Sequence, residues 1–122
     1  MSLSVLGAIT IPGSPGEVAT ARRFVAKTLI GHPQADTAVL LTSEAVTNSV
    51  IHTGSSMVTV VVFETPSGLR LEVTDEGGDT VPTVYDGYEL REGKRGVFLV
   101  EELSEACGIR VAEGGLTFWF EL

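Results

Sequence analysis

Residues 57–75 read MVTVVVFETPSGLRLEVTD. Met57 to Phe63 is rich in valine and reads as a strand. Leu69 to Thr74 alternates, with Leu69, Leu71 and Val73 on one side and Arg70, Glu72 and Thr74 on the other. Pro66-Ser67-Gly68 supplies the turn of a hairpin between them. A sheet with one apolar face needs a second layer to cover it. Asp75 continues the parity of Leu69, Leu71 and Val73, so the pattern predicts a carboxylate on the core face at the end of a strand. The competing reading is an ordinary turn, since Asp-x-Gly is a weak signal by itself.

The covering layer is legible upstream. Leu3 to Ile11 alternates loosely and reads as a first strand. PGSPGE (12–17) is turn material, with Ser14-Pro15 a plausible helix start. Glu17 to Ile30 carries Val18, Ala21, Val25 and Leu29 at helical spacing, and Gly31-His32-Pro33 ends that helix. Asp36 is placed to cap a second helix running to about Thr53 and stopping at Gly54. From Thr37 to Thr53 the only formally charged residue is Glu44, followed at intervals of four by Asn48 and His52. Such positions advance by about 40° each and share one stripe. The remainder is apolar or small, which predicts a buried helix. An unpaired buried carboxylate is costly, so Glu44 needs either a partner or a task, unless it stands at a rim and reaches water.

Downstream, residues 76 to 95 form a long glycine-rich loop, and a structureless stretch of that length in a small domain points to function. GVFLVEEL (96–103) opens a third helix expected to end near Cys107-Gly108. Ile109 to Ala112 and Leu116 to Leu122 make a final hairpin around Glu113-Gly114-Gly115. The expected architecture is one domain over residues 1–122. It is an α+β two-layer sandwich, a mostly antiparallel mixed sheet with three helices on one face. In the last strand Leu116, Phe118, Phe120 and Leu122 share a face opposite Thr117 and Trp119. If Thr117 faces the helical layer, the Phe-rich face is open, which predicts a homodimer or a protein partner there, unless the chain's own N-terminal strand or loops cover it.

Composition narrows the class. The chain has 122 residues, 43% of them hydrophobic, and a mean hydropathy of +0.28, which argues against disorder. A net charge of −8 argues against a general nucleic-acid binder. No apolar run approaches the ~18 residues of a membrane span, and no secretory signal is visible, so a cytoplasmic protein is expected. Cys107 is the only cysteine, which leaves no internal disulfide and no cysteine-based zinc site. Glu44, His52 and His32 as a metal hydrolase centre would offer too few ligands at metal spacing. Three of the eight Lys and Arg, namely Arg91, Lys94 and Arg95, fall within five residues. They lie beside Gly93 and Gly96, just before a helix. Free amides and a positive dipole end at such a place bind phosphate, although a solvated loop has the same composition.

Taken in order, Glu44-x-x-x-Asn48-x-x-x-His52, Asp75-x-Gly77, the glycine pair before the third helix and Thr117 resemble the motifs of the histidine-kinase-like (GHKL, Bergerat-fold) ATPases. ARRFV and SEAVTNSVIH are similar to the short, single-domain branch of anti-sigma-factor serine/threonine kinases. The resemblance spans roughly residues 15 to 122. It implies that Asn48 ligates a Mg²⁺ bridging the phosphates of ATP, and that Glu44 is the general base. It implies that Asp75 accepts from the adenine amine, that Thr117 supports the adenine directly or through water, and that Gly77 gives the ring room. Gly93, Lys94, Arg95 and Gly96 then belong to the lid over the phosphates. The implied partners are a sigma factor and a small antagonist protein that the kinase phosphorylates. Lys94 departs from the family pattern by standing where a glycine is usual. Either Gly93 serves after a one-residue shift or the lid binds phosphate poorly. A partner-binding module of the same fold with little catalysis is the second reading. His52 either orients Glu44 or caps its helix.

Overall fold

A computed structural model of the chain describes residues 3–53, 56–76, 102–112 and 115–122, with backbone alone for His52, Thr53 and Ala112. Among the described residues there are five strands: β1 (Ser4–Pro12), β2 (Met57–Thr65), β3 (Gly68–Asp75), β4 (Ala106–Ala112) and β5 (Gly115–Glu121). They form one sheet in the order β1-β2-β3-β5-β4, and every pairing is antiparallel. The expected mixed sheet is therefore corrected to an antiparallel one among the described residues.

Register decides which residues meet the helices. Three inward rows run across the strands: Gly7–Val62–Leu71–Phe120–Cys107, Ile9–Val60–Val73–Phe118–Ile109 and Ile11–Val58–Asp75–Leu116–Val111. Val58, Val60, Val62, Leu69, Leu71, Val73 and Phe120 are wholly buried. The Phe-rich face of β5 is thus the core face, in one cluster with buried residues of both helices. That removes the premise for a homodimer or partner on an open Phe face. The physical reason is parity: a one-residue change of register exchanges the two faces of a strand, and the larger apolar set goes inside.

Helix α1 (Val18–Thr28) follows a single 3₁₀ turn at Pro15–Glu17, where proline presets the entry. Ala21, Val25 and Leu29 face the core. Gly31, at φ +83°, ends the helix in a left-handed conformation that a Cβ would oppose. Helix α2 (Ala35–Thr53) buries Ala38, Leu41, Thr42, Ala45, Val46, Asn48 and Ser49. Asp36 lies inside its first turn rather than before it, where its charge meets the positive end of the helix. The entry is held instead by His32, whose Nδ1 accepts the Gln34 amide at 3.0 Å. Contrary to the expectation of burial all round, Leu40 and Ile51 on α2 are exposed.

The third helix falls mostly outside the described residues. Glu102 and Leu103 are helical, but Ala106 already belongs to β4, so the expected helical end near Cys107-Gly108 is corrected to a strand. Cys107 and Ile109 pack against the core as strand residues, which accounts for the change. No helix among the described residues is long and apolar enough to cross a membrane.

The opposite face of the sheet mixes Val61, Phe63 and Trp119 with threonines and charged residues. Arg70 bonds Glu72 and Glu121, each at 2.9 Å, and lies 4.3 Å from the centre of the Trp119 ring. Burial opposes the Arg70 charge, but the bonds to Glu72 and Glu121 outweigh it and raise its pKa above the ordinary value. This cluster ties β3 to β5 and supports the register that pairs Thr74 with Thr117 and Asp75 with Leu116.

The Thr42 hydroxyl, in a side chain with no exposed surface, has no hydrogen-bond partner among the described residues. Thr42→Val keeps the shape and deletes the stranded hydroxyl, so stability should rise by about 1 kcal/mol, seen as a melting temperature a few degrees higher. An unchanged or lower melting temperature would show that the hydroxyl is not a liability.

Candidate functional site

Two elements bring the candidate residues together. Helix α2 packs across β2 and β3, so the buried side of the helix looks onto the inward face of those strands. Asp75 is the last residue of β3 and stands in the inward row between Val58 and Leu116. It is only 3% exposed, a carboxylate in a row otherwise made of Ile and Val and Leu. The parity read from residues 69–75 thus holds in the fold. Asp75 holds this place at the end of the strand, after which only Glu76 is described before residue 102.

On α2, Asn48 is 7% exposed and belongs to the buried side, next to the wholly buried Ala45. Glu44, one turn earlier, is half-buried. It stands at the border between the core side and the exposed stripe that carries Leu40 and Ile51. That border position reconciles the two sequence readings of Glu44: the carboxylate keeps contact with water and also flanks Asn48. An amide just inside the rim and a carboxylate just outside it form a polar edge on an otherwise apolar helix.

Thr117 is placed differently. It pairs with Thr74 on the outer face, and the two hydroxyls lie 2.8 Å apart. Asp75 and Thr117 therefore point to opposite faces of the sheet, and Thr117 does not join Asp75 in one pocket. A row Thr10–Thr59–Thr74–Thr117 crosses the outer face, with Thr10 and Thr59 also bonded at 2.8 Å. Thr117 thus stabilises cross-strand pairing. The resemblance puts it on the nucleotide side, whereas the β3–β5 register, which is not written in either strand alone, turns it outward.

Gly77, Gly93, Lys94, Arg95 and Gly96 lie outside the described residues, as do Arg91 and the side chain of His52. Two further residues near Asp75 were not singled out by the sequence. Gly115, read there as a turn residue, is the first residue of β5, and a Cβ on it would stand 2.8 Å from the Asp75 carbonyl. Its lack of a side chain lets β5 close on the end of β3. Glu76 bonds Ser56, in the turn between α2 and β2.

The donor set fits a nucleotide. A buried carboxylate at a strand end suits an exocyclic amine, which is a donor. A carboxamide oxygen suits hard Mg²⁺. A carboxylate at the rim suits proton transfer from an incoming hydroxyl. The family model described as histidine kinase-like ATPase domain matches residues 11–121. No curated protein matches the chain.

Proposed function

Since the chain belongs to the histidine kinase-like ATPase domain family, we propose that it binds ATP with Mg²⁺ and acts as a protein serine/threonine kinase of the anti-sigma type. The observation that carries this reading is Asp75, a carboxylate buried on the core face opposite a helix whose polar edge is Glu44 and Asn48. Asp75 would accept from the adenine amine, and Asn48 would hold the metal. When bound, Mg·ATP supplies a transferable phosphoryl group with its charge partly neutralised. Glu44 would take the proton from an attacking serine or threonine hydroxyl. The rim position of Glu44 supports this, because a protein substrate must reach it from outside. Calorimetry with ATP and Mg²⁺ tests the reading: wild type should bind, and Asn48→Ala should lose most of the magnesium dependence. No binding at millimolar nucleotide would sink it.

The partners proposed are a sigma factor and a small antagonist protein. Helix α1 supports a docking role. Arg22, Arg23 and Lys27 are exposed on it, whereas Arg70 and Arg110 are engaged by carboxylates. Arg22 and Arg23 flank a shallow groove of about 360 Å³ that Ala19, Ala26 and Val39 complete. In a protein of net charge −8, such a stripe suits an acidic surface on another protein. The double variant Arg22→Glu/Arg23→Glu should bind nucleotide as wild type does and lose at least about tenfold in affinity for the regulated partner, since like charges across an interface are costly. Unchanged titration with both the sigma factor and the antagonist would dismiss α1 as the docking face.

The alternative is a docking module of the same fold with weak or no catalysis. The departure at Lys94 favours it, and the presence of both Glu44 and Asn48 disfavours it.

A further inference from the structure

Ser56 is a junction of three segments. Its amide N–H and its hydroxyl both donate to one carboxylate oxygen of Glu76, at 3.0 and 2.6 Å. Its carbonyl accepts the Gly13 N–H at 2.9 Å. Gly13 directly follows β1, Ser56 lies between α2 and β2, and Glu76 directly follows Asp75. The last backbone pair of β2 with β3 is Val58 with Asp75. The Glu76 contacts therefore come just past the point where the ladder between β2 and β3 stops, and strand ends fray unless something holds them.

We propose that Glu76 is a positioning residue for nucleotide recognition. It latches the end of β3 to the turn after α2 and so fixes the Asp75 carboxylate relative to the helix that bears Glu44 and Asn48. This inference rests on the nucleotide reading given above. Hydrogen bonds to an ionised carboxylate are the stronger kind, and two donors on one oxygen hold Ser56 at two atoms. The Gly13 bond passes the constraint to the start of the helical layer. Asp75 is the last residue of β3 paired on both sides, with Val58 and Leu116, and the Glu76 contacts hold the chain where that pairing stops; a hydrogen bond to a base edge requires placement to within a few tenths of an ångström.

The test compares ATP with inosine triphosphate, which carries a carbonyl in place of the adenine amine. Wild type should prefer ATP. Glu76→Ala should lose about tenfold for ATP, the worth of a hydrogen bond to a charged group, and little for inosine triphosphate, so the preference narrows. Glu76→Gln keeps an acceptor oxygen for both Ser56 donors but not the charge, and should restore the preference in part. Without nucleotide, amide exchange at Ser56 and Gly13 should be faster in Glu76→Ala. Ser56→Ala, which removes only the hydroxyl bond, should move each measurement less in the same direction, and it serves if Glu76→Ala folds poorly. A merely structural surface bond would alter melting temperature without touching the ATP preference. Wild type that prefers ATP together with an unaltered preference in Glu76→Ala, or unaltered exchange at both amides, would overturn the latch alone. Wild type that binds neither nucleotide would overturn the nucleotide reading and the latch with it.

Discussion

Glu44→Gln should lower phosphate transfer to a protein substrate by about 10²–10⁴-fold, the usual contribution of a general base, while nucleotide affinity changes little. Glutamine keeps the size and the hydrogen-bonding reach of the side chain but cannot take the proton. Glu44 is the only formally charged residue between Thr37 and Thr53, and it is half-buried at the edge of α2, one turn before Asn48. Single-turnover transfer and calorimetry on the same preparation separate the two effects. A carboxylate that merely solvates the helix would leave both measurements unchanged. A carboxylate kept for stability would instead lower the melting temperature. A normally folded, fully active Glu44→Gln protein would rule out the kinase mechanism while leaving the family assignment intact.

The second large effect is expected at Asp75. Asp75→Asn should weaken ATP binding about 10- to 100-fold, the cost of a hydrogen bond to a charged group inside a site. The amide can turn a donor toward the adenine amine, also a donor, and the mismatch cannot be relieved by water where the side chain is 3% exposed. The loss should fall on adenine recognition and not on magnesium dependence, which is assigned to Asn48. Equal affinity in wild type and Asp75→Asn would show that this carboxylate serves the core alone. The neighbouring Val58 and Leu116 are wholly or almost wholly buried, so the fold should survive the near-isosteric change.

How much of this was legible beforehand differs by residue. Asp75 was placed correctly because its side follows from parity within one strand, and alternation through Leu69, Leu71 and Val73 is a local signal. Asn48 and Glu44 were placed on one helix by spacing alone, and the fold separates them by burial. Thr117 was misplaced because its side depends on which residue of β3 it meets, a long-range fact that neither strand encodes. The same error made the Phe-rich side of β5 look open. The third helix was carried too far because GVFLVEEL leads on into residues whose helical or strand state depends on packing: Cys107 and Ile109 are strand residues packed against the core.

By itself, the sequence determined the two-layer class, the hairpin of β2 and β3, the two long helices and the inward carboxylate. Each rests on a local period of about 2 or 3.6 residues. The tertiary structure alone decided the strand order and the faces of β5. It also decided the rim position of Glu44 and the contact of Glu76 with Ser56 twenty residues away. Those depend on register and on how α2 crosses the sheet, and register is chosen by the whole core burying its largest apolar face at once.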